Sequence, residues 1–277
     1  MTAVADIARV MPGNAAGIWF LRRTGQTDGA TVMLLHGIGS NATCFQPLIA
    51  ALPASCDVIA WNAPGYAGSK PVTAKQPSPA DYADALDALV HALDLPRLVL
   101  VGHSFGCLFA ARYAASRPDR VRALALLSPA LGYRVAPGAT LPASVQARID
   151  DLVALGPTAF AAKRAARLLH DPERKPQLLA AVRDAMAAVD PAGYTQAVHA
   201  LGTGNLIADA ARIGAPVTVA VGAEDVVTPP ENARALHAAL RRPVGFHEIP
   251  GAGHALPQEN PAAVAGLLVE LLERHGG

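Results

Sequence analysis

Residues 98–107 read Leu-Val-Leu-Val-Gly-His-Ser-Phe-Gly-Cys, an apolar run that stops at a Gly-x-Ser-x-Gly. An alanine-rich stretch, Leu108 to Ser116, follows at once. That order predicts a strand, a sharp turn and a helix. The chain must swing from strand into helix within about one residue, which forces Ser104 into a strained backbone conformation. Gly102 and Gly106 leave room because they carry no Cβ to strike the neighbouring strand and helix. The Ser104 Oγ is then expected to stand clear of the sheet, at the positive end of the following helix. The plain alternative is an ordinary serine in a glycine-bracketed turn, and the strand before it and helix after it tell against that.

Strand and helix patterns alternate on both sides of this turn. Ile7 to Met11 and Gly17 to Arg22 read as an edge hairpin around Pro12-Gly13-Asn14. Thr31 to Leu35 is a continuous apolar run, as expected of a strand buried on both faces, and Asp57 to Trp61, Arg97 to Val101, Val121 to Leu127, Pro216 to Val221 and Val244 to Ile249 also read as strands. Helices are predicted from a Ser40 or Asn41 cap to about Leu52, from Pro79 to Leu93, from Pro230 to Leu240 and from Pro261 to Arg274. Between Leu131 and Ile213 the rhythm changes. Only helical stretches appear there (Ala143 to Leu155, Thr158 to Leu169, Gln177 to Val189, Gly193 to Leu201), broken by prolines. The expected fold class is α/β: a mostly parallel eight-stranded sheet flanked by helices, with a helical cap insertion. The expected division is a core in two parts, 1–131 and 214–277, and a cap at 132–213.

The composition narrows what such a chain does. It is 52% hydrophobic and 16% charged, which allows a large core and argues against disorder. A net charge of +1 without a basic stripe excludes nucleic acid as an expected partner. No apolar run reaches membrane-spanning length, and Met1 to Gly17 lacks a basic start followed by an apolar segment, so a cytoplasmic location with no membrane partner is expected. Cys44, Cys56 and Cys107 have no metal-like spacing, and their odd number argues against a disulfide framework. Cys107 reads as a small buried filler rather than a reactive thiol. No cofactor and no metal are expected, and oligomeric state, including a homo-oligomer, stays open.

A serine hydroxyl is a poor nucleophile until a base takes its proton, and the base needs an acid to hold its tautomer. In parallel sheets, active groups sit on loops leaving the carboxyl ends of strands. His254 meets that condition, in Pro-Gly-Ala-Gly-His directly after the Val244–Ile249 run. Of the other histidines, His91 and His237 fall in helices, His247 in the strand, His275 in the tail, and His170 and His199 in the helical insert. Asp225, in Gly-Ala-Glu-Asp just past the Pro216–Val221 run, is the preferred acid, with Glu224 beside it as the rival. Asp225 as a mere helix cap is the plain alternative, and Thr228 is placed to do that job instead.

The order Ser104, Asp225, His254 is that of the α/β-hydrolase arrangement. With His36-Gly37-Ile38-Gly39, Gly65-Tyr66-Ala67-Gly68-Ser69 and Gly253-His254, it makes the chain resemble a capped α/β-hydrolase from near Gly17 through the last helix. The resemblance implies an oxyanion hole made by the backbone N–H groups of Ile38 and Phe105, with His36 and His103 bonding around the turn. Members with Asp at the turn attack alkyl carbon, so Ser104 implies acyl chemistry on a small-molecule acyl substrate. An ester or lactone hydrolase acting through an acyl-enzyme is the expected function. Similar proteins also include haloperoxidases, hydroxynitrile lyases and hydrolases that cleave C–C bonds in aromatic ring-fission products. The last usually carry an aromatic after the histidine, where this chain has Ala255. A non-catalytic binding protein on the same fold is the reading from another class. The insert's Arg134, Arg148, Lys163, Arg164 and Arg167 are read as a largely solvated face that includes candidates for a substrate carboxylate.

Overall fold

The structure, a computed structural model, describes residues 9–25 and 31–275. In chain order, β1 (Val10–Ala15), β2 (Ile18–Arg23) and β3 (Thr31–Leu35) lead through a short 3-10 turn to α1 (Gln46–Ala51). Then come β4 (Asp57–Trp61), α2 (Pro79–Ala92), β5 (Leu98–His103), α3 (Gly106–Ser116) and β6 (Val121–Leu127). A helical insert follows: α4 (Ala143–Arg164), α5 (Pro176–Ala187), α6 (Pro191–Thr203) and α7 (Leu206–Ala210). The chain closes with β7 (Val217–Gly222), α8 (Pro230–Ala239), β8 (Pro243–Ile249), α9 (Leu256–Glu259) and α10 (Pro261–His275).

The eight strands form one sheet in the order β1-β2-β4-β3-β5-β6-β7-β8. β1 and β2 pair antiparallel, as do β2 and β4, and the remaining neighbours are parallel. Parallel strands buried on both faces need apolar residues at consecutive positions, and β3, β4, β5 and β7 are buried throughout. Alternate side chains feed two cores. Met33, Leu35, Leu98 and Leu100 meet α2, α3 and the insert on one face. Val32, Leu34, Val99 and Val101 meet α1 and α10 on the other.

The amino-terminal hairpin differs from the sequence expectation. Ile7 and Ala8 lie outside the described residues, and β1 runs straight through Pro12-Gly13-Asn14. The reversal falls instead at Ala16-Gly17, both with positive φ (51° and 78°), the backbone that matches the twist of a two-residue hairpin. Pro12 is tolerated because β1 is an edge strand. Gly13 is needed because it pairs with Phe20, whose ring lies 2.5 Å from where a Cβ would sit. In the insert, the two helices expected at 143–155 and 158–169 are both present within the α4 range: they meet at a kink at Gly156 (φ 70°), ahead of Pro157, and the second ends at Arg164 with a 3-10 turn over Ala165–Leu168. α7 and α9 were not expected, being 5 and 4 residues long. Among the described residues no helix is long and apolar enough to cross a membrane.

The parallel register brings the carboxyl ends of β3, β5 and β6 level, pairing Leu35 with Gly102 and His103 with Leu127. α3 is pressed against this edge. A Cβ on Gly106 would lie 2.1 Å from the carbonyl oxygen of Leu35, so a side chain there means moving helix or strand. We expect Gly106→Ala to lose about 3 kcal/mol or more in urea denaturation. Gly266, in α10 with nothing within 4 Å of its virtual Cβ, should respond oppositely. Gly266→Ala is expected to gain up to about 1 kcal/mol, because alanine restricts the unfolded chain and favours helix.

Candidate active site

Ser104 sits in the two-residue step between β5 and α3 with φ at +54°, the left-handed region that non-glycine residues seldom occupy. Neighbouring groups hold it there. Its N–H donates to Leu127 O at 2.9 Å, and its carbonyl accepts from Cys107 N at 3.1 Å. A Cβ on Gly102 would lie 2.8 Å from the Cys107 Cα, so this glycine is what lets the helix fold back on the strand. Cys107 is fully buried, its Sγ 3.2 Å from Gly102 O, and burial pushes the thiol above its usual range. The three cysteines are unpaired.

Three loops leaving the same sheet edge meet over Ser104. The His254 Nε2 is 2.9 Å from Ser104 Oγ, and its Nδ1 is 2.9 Å from Asp225 Oδ2. All three residues are buried, at 5%, 4% and 2% exposure for Ser104, His254 and Asp225. An ionised carboxylate only accepts, so the histidine proton sits on Nδ1 and leaves Nε2 bare toward the serine hydroxyl. Gly222 makes the meeting of the acid and histidine loops possible, since a Cβ there would fall 2.2 Å from Ala252 O. Burial alone would raise the Asp225 carboxyl. His254 opposes this by charge and hydrogen bond, and the N–H groups of Thr228 (2.9 Å) and Val227 (2.8 Å) donate to Oδ1, so the carboxyl falls to about 2. Glu224 takes no part in this arrangement and instead accepts from Ala252 N at 3.1 Å.

Thr228 departs from its expected role. α8 begins at Pro230, with Pro229 at its N-cap and no side-chain cap. The Thr228 Oγ1 lies 2.9 Å from both Ser128 O and Asp225 Oδ2, and 3.1 Å from His254 Nδ1. Donating to the Ser128 carbonyl leaves its oxygen free to accept from the imidazole N–H. The hydroxyl thus braces the histidine in the same orientation as the carboxylate. Sequence spacing holds no signal for this, because the braced groups come from three loops.

Two further histidines are structural. The His36 Nδ1 donates to Gly37 O at 2.8 Å, and Nε2 accepts from Ala63 N at 3.0 Å, strapping the end of β3 to the loop after β4. The His103 Nε2 donates to His254 O at 2.7 Å and so supports the backbone of the histidine loop. Both rings are held neutral by geometry. Burial lowers His36 to about 4; burial first, and then the neighbouring His254, lowers His103 to about 3.

Glu259, whose side chain is 0% exposed, completes the support. It accepts from Gly253 N (2.7 Å), His170 N (2.8 Å) and Lys175 Nζ (2.8 Å), joining the histidine loop to the insert. Ala255 N donates to Leu168 O at 2.8 Å on the other side of His254.

Ser104 and His254 open into a cavity of about 380 Å³ whose roof comes from the insert, with Phe160, Met186 and Tyr194 among its apolar lining. Ile38 and Phe105 also line it. Among the described residues neither backbone N–H donates to a protein acceptor. The Phe105 ring is anchored in the core at 5.4 Å from Tyr82 and 5.1 Å from Phe109, which steadies its N–H. Gly37 permits the close approach of the Ile38 loop, its virtual Cβ being 3.0 Å from the Ser104 Cβ.

The fold and this loop arrangement are those of an α/β-hydrolase. A model of the alpha/beta hydrolase family matches residues 32–267, and the chain belongs to that family. The pimeloyl-acyl-carrier-protein methyl ester esterase of Neisseria meningitidis serogroup A is 30% identical over 215 residues; the match covers 76% of this chain and 66%, just under two thirds, of that protein. The enol-lactonase of Burkholderia xenovorans LB400 superposes with a TM-score of 0.84 at 22% identity, covering 95% of this chain and 100% of its own. A bromoperoxidase of Bacillus anthracis gives 0.82 at 21% identity, covering 95% and 100%. At those identities the likeness of the two solved structures is one of fold.

The buried histidines have a measurable consequence. Unfolded, both rings take up a proton near the ordinary 6.5; folded, they stay neutral down to about 4 and about 3. Between those limits the unfolded chain binds more protons, so stability is full above the ordinary value and falls as pH drops. Each ring contributes a slope of about 1.4 kcal/mol per pH unit in that window. Urea titrations between pH 6.5 and 4.5 should show the combined slope, and His36→Asn should remove one ring's share. An unchanged slope in that variant would mean that His36 is not what is kept uncharged.

Proposed function

We propose that the protein is a serine hydrolase that cleaves a small carboxylic ester or lactone through an acyl-enzyme. The observation that carries this is the 2.9 Å contact of His254 Nε2 with Ser104 Oγ, with Nδ1 committed to Asp225 and both opening into one cavity. Ser104 Oγ attacks the substrate carbonyl as His254 takes its proton, and Asp225 steadies the resulting imidazolium. The carbonyl oxygen gains charge facing the N–H groups of Ile38 and Phe105. Two such aimed donors are commonly the largest catalytic contribution, about 3 kcal/mol or more for each. His254 then returns the proton to the leaving oxygen, and with a water repeats the sequence to release the acid. Residues 132–213 act as a cap that closes the cavity over Ser104 and sets what fits there. An ester is favoured over a C–C substrate by the relative at 30% identity, which by its name acts on a methyl ester.

A fluorophosphonate probe should label the wild-type protein at Ser104, and hydrolysis of 4-nitrophenyl butyrate should fall by about 10³-fold or more in Ser104→Ala. Asp225→Asn should keep the fold and lose about 10³–10⁴-fold in kcat, because the imidazole is no longer held in the productive tautomer. A wild-type protein that neither takes the label nor turns over any ester, thioester or lactone would refute the reading.

A further inference from the structure

The cavity above Ser104 is lined by four guanidinium groups, Arg134, Arg148, Arg164 and Arg167, and by no aspartate or glutamate. That concentration is local, since the whole chain carries a net charge of only +1. One of the four has its counter-charge: Arg164 donates to Asp151 Oδ2 at 2.8 Å and lies over the Phe160 ring at 4.8 Å. Even so, its Nε is buried without an acceptor among the described residues. Asp151 is already shared with Lys163, 2.9 Å away. Arg134, Arg148 and Arg167 have no acidic group within ion-pair distance among the described residues. Arg148 instead lies against Tyr194, where burial raises the phenol and Arg148 and Arg164 pull it back down.

The backbone supplies an independent sign. Arg134 sits at φ +57°, as disfavoured for a long side chain as the Ser104 conformation is for serine. Hydrogen bonds from Tyr133, Arg134 and Val135 N to the carbonyls of Leu201, Gly204 and Gly202, at 3.3, 3.0 and 2.9 Å, clamp it onto the end of α6. Gly132 makes the clamp possible, for a Cβ there would lie 2.2 Å from Gly204 O. A strained, tightly fastened backbone that delivers a guanidinium to a cavity wall is the arrangement of a ligand clamp. Like charges gathered on a concave, partly apolar surface repel one another and draw an anion. The planar fork of arginine fits a carboxylate with two parallel hydrogen bonds.

We infer that the substrate carries, beyond the ester or lactone carbonyl, a second and ionised carboxylate on its acyl part, held in this cavity by Arg134, Arg148 and Arg167. The inference rests on the hydrolase reading above and narrows it to half-esters of dicarboxylic acids and lactones of comparable acids. It also changes the meaning of these side chains, which sequence alone reads as a largely solvated face.

The test compares monomethyl adipate with methyl hexanoate, which match in length and differ in the terminal group, following methanol release near neutral pH. The acid ester is expected to have the higher kcat/KM by about tenfold or more, with the advantage shrinking as salt is raised. Arg134→Gln with Arg167→Gln, both exposed in the native protein and therefore safe to the fold, should bring the ratio of the two substrates toward one. Arg241→Gln, on the exposed surface away from the cavity, should leave the ratio alone. Equal rates on the two esters, or a ratio unmoved by the double variant, overturns the inference. Fluorophosphonate labelling run alongside keeps the two readings apart. Labelling without an acid-ester preference sinks only the inference. Without labelling or turnover the hydrolase reading fails, and adipate binding by calorimetry then decides: binding weakened about tenfold or more by the double variant supports the clamp, and no binding overturns it.

Discussion

Where α3 leaves the sheet, backbone meets backbone with no side chain between. Gly106 lies so near the Leu35 carbonyl, and Gly102 so near Cys107, that neither position has room for a methyl group. This contact holds Ser104 in the left-handed region and aims its hydroxyl away from the sheet. It also levels the ends of β3 and β5, so the loop after β3 passes directly over the serine. Everything polar at the carboxyl edge depends on that approach, because His36, His103 and His254 each hydrogen-bond a backbone or side-chain group from a different loop.

Those loops carry ionisable groups into a buried place, which is tolerable only if each group is fully partnered or uncharged. Asp225 is the partnered case, met by His254 and by the backbone N–H groups of Val227 and Thr228. His36 and His103 are the uncharged case, each with a ring nitrogen committed to a backbone carbonyl. His254 alone of the three keeps a nitrogen directed at a hydroxyl facing the cavity. The environment, not the residue type, separates the imidazole suited to moving a proton from the two that only fasten loops.

The sheet was legible because fully buried parallel strands must be continuously apolar. Thr31–Leu35, Asp57–Trp61 and Val121–Leu127 stand where their apolar runs predict them. The first hairpin was misplaced because Pro12-Gly13-Asn14 carries turn chemistry that an edge strand and the Phe20 ring override. α7 and α9 are too short for periodicity to register. At the site, Ser104, Asp225 and His254 were picked out by their place at strand exits, and the structure brings them within hydrogen-bonding distance of one another in sequence. In sequence Thr228 reads only as a helix cap and Glu259 carries no signal, because they reach groups on distant loops; Thr228 meets Ser128 O, and Glu259 meets His170, 89 residues earlier.

Glu259 ties the residue before His254 to the insert, and Leu168 ties the residue after it. The imidazole is therefore slung between two rivets that belong as much to the roof as to the floor. Lifting the roof along that seam would drag the ring out of line with the serine before any gap opened. Tyr133 and Arg134, also in the chamber's wall, are fastened to the end of α6 instead, within the roof itself.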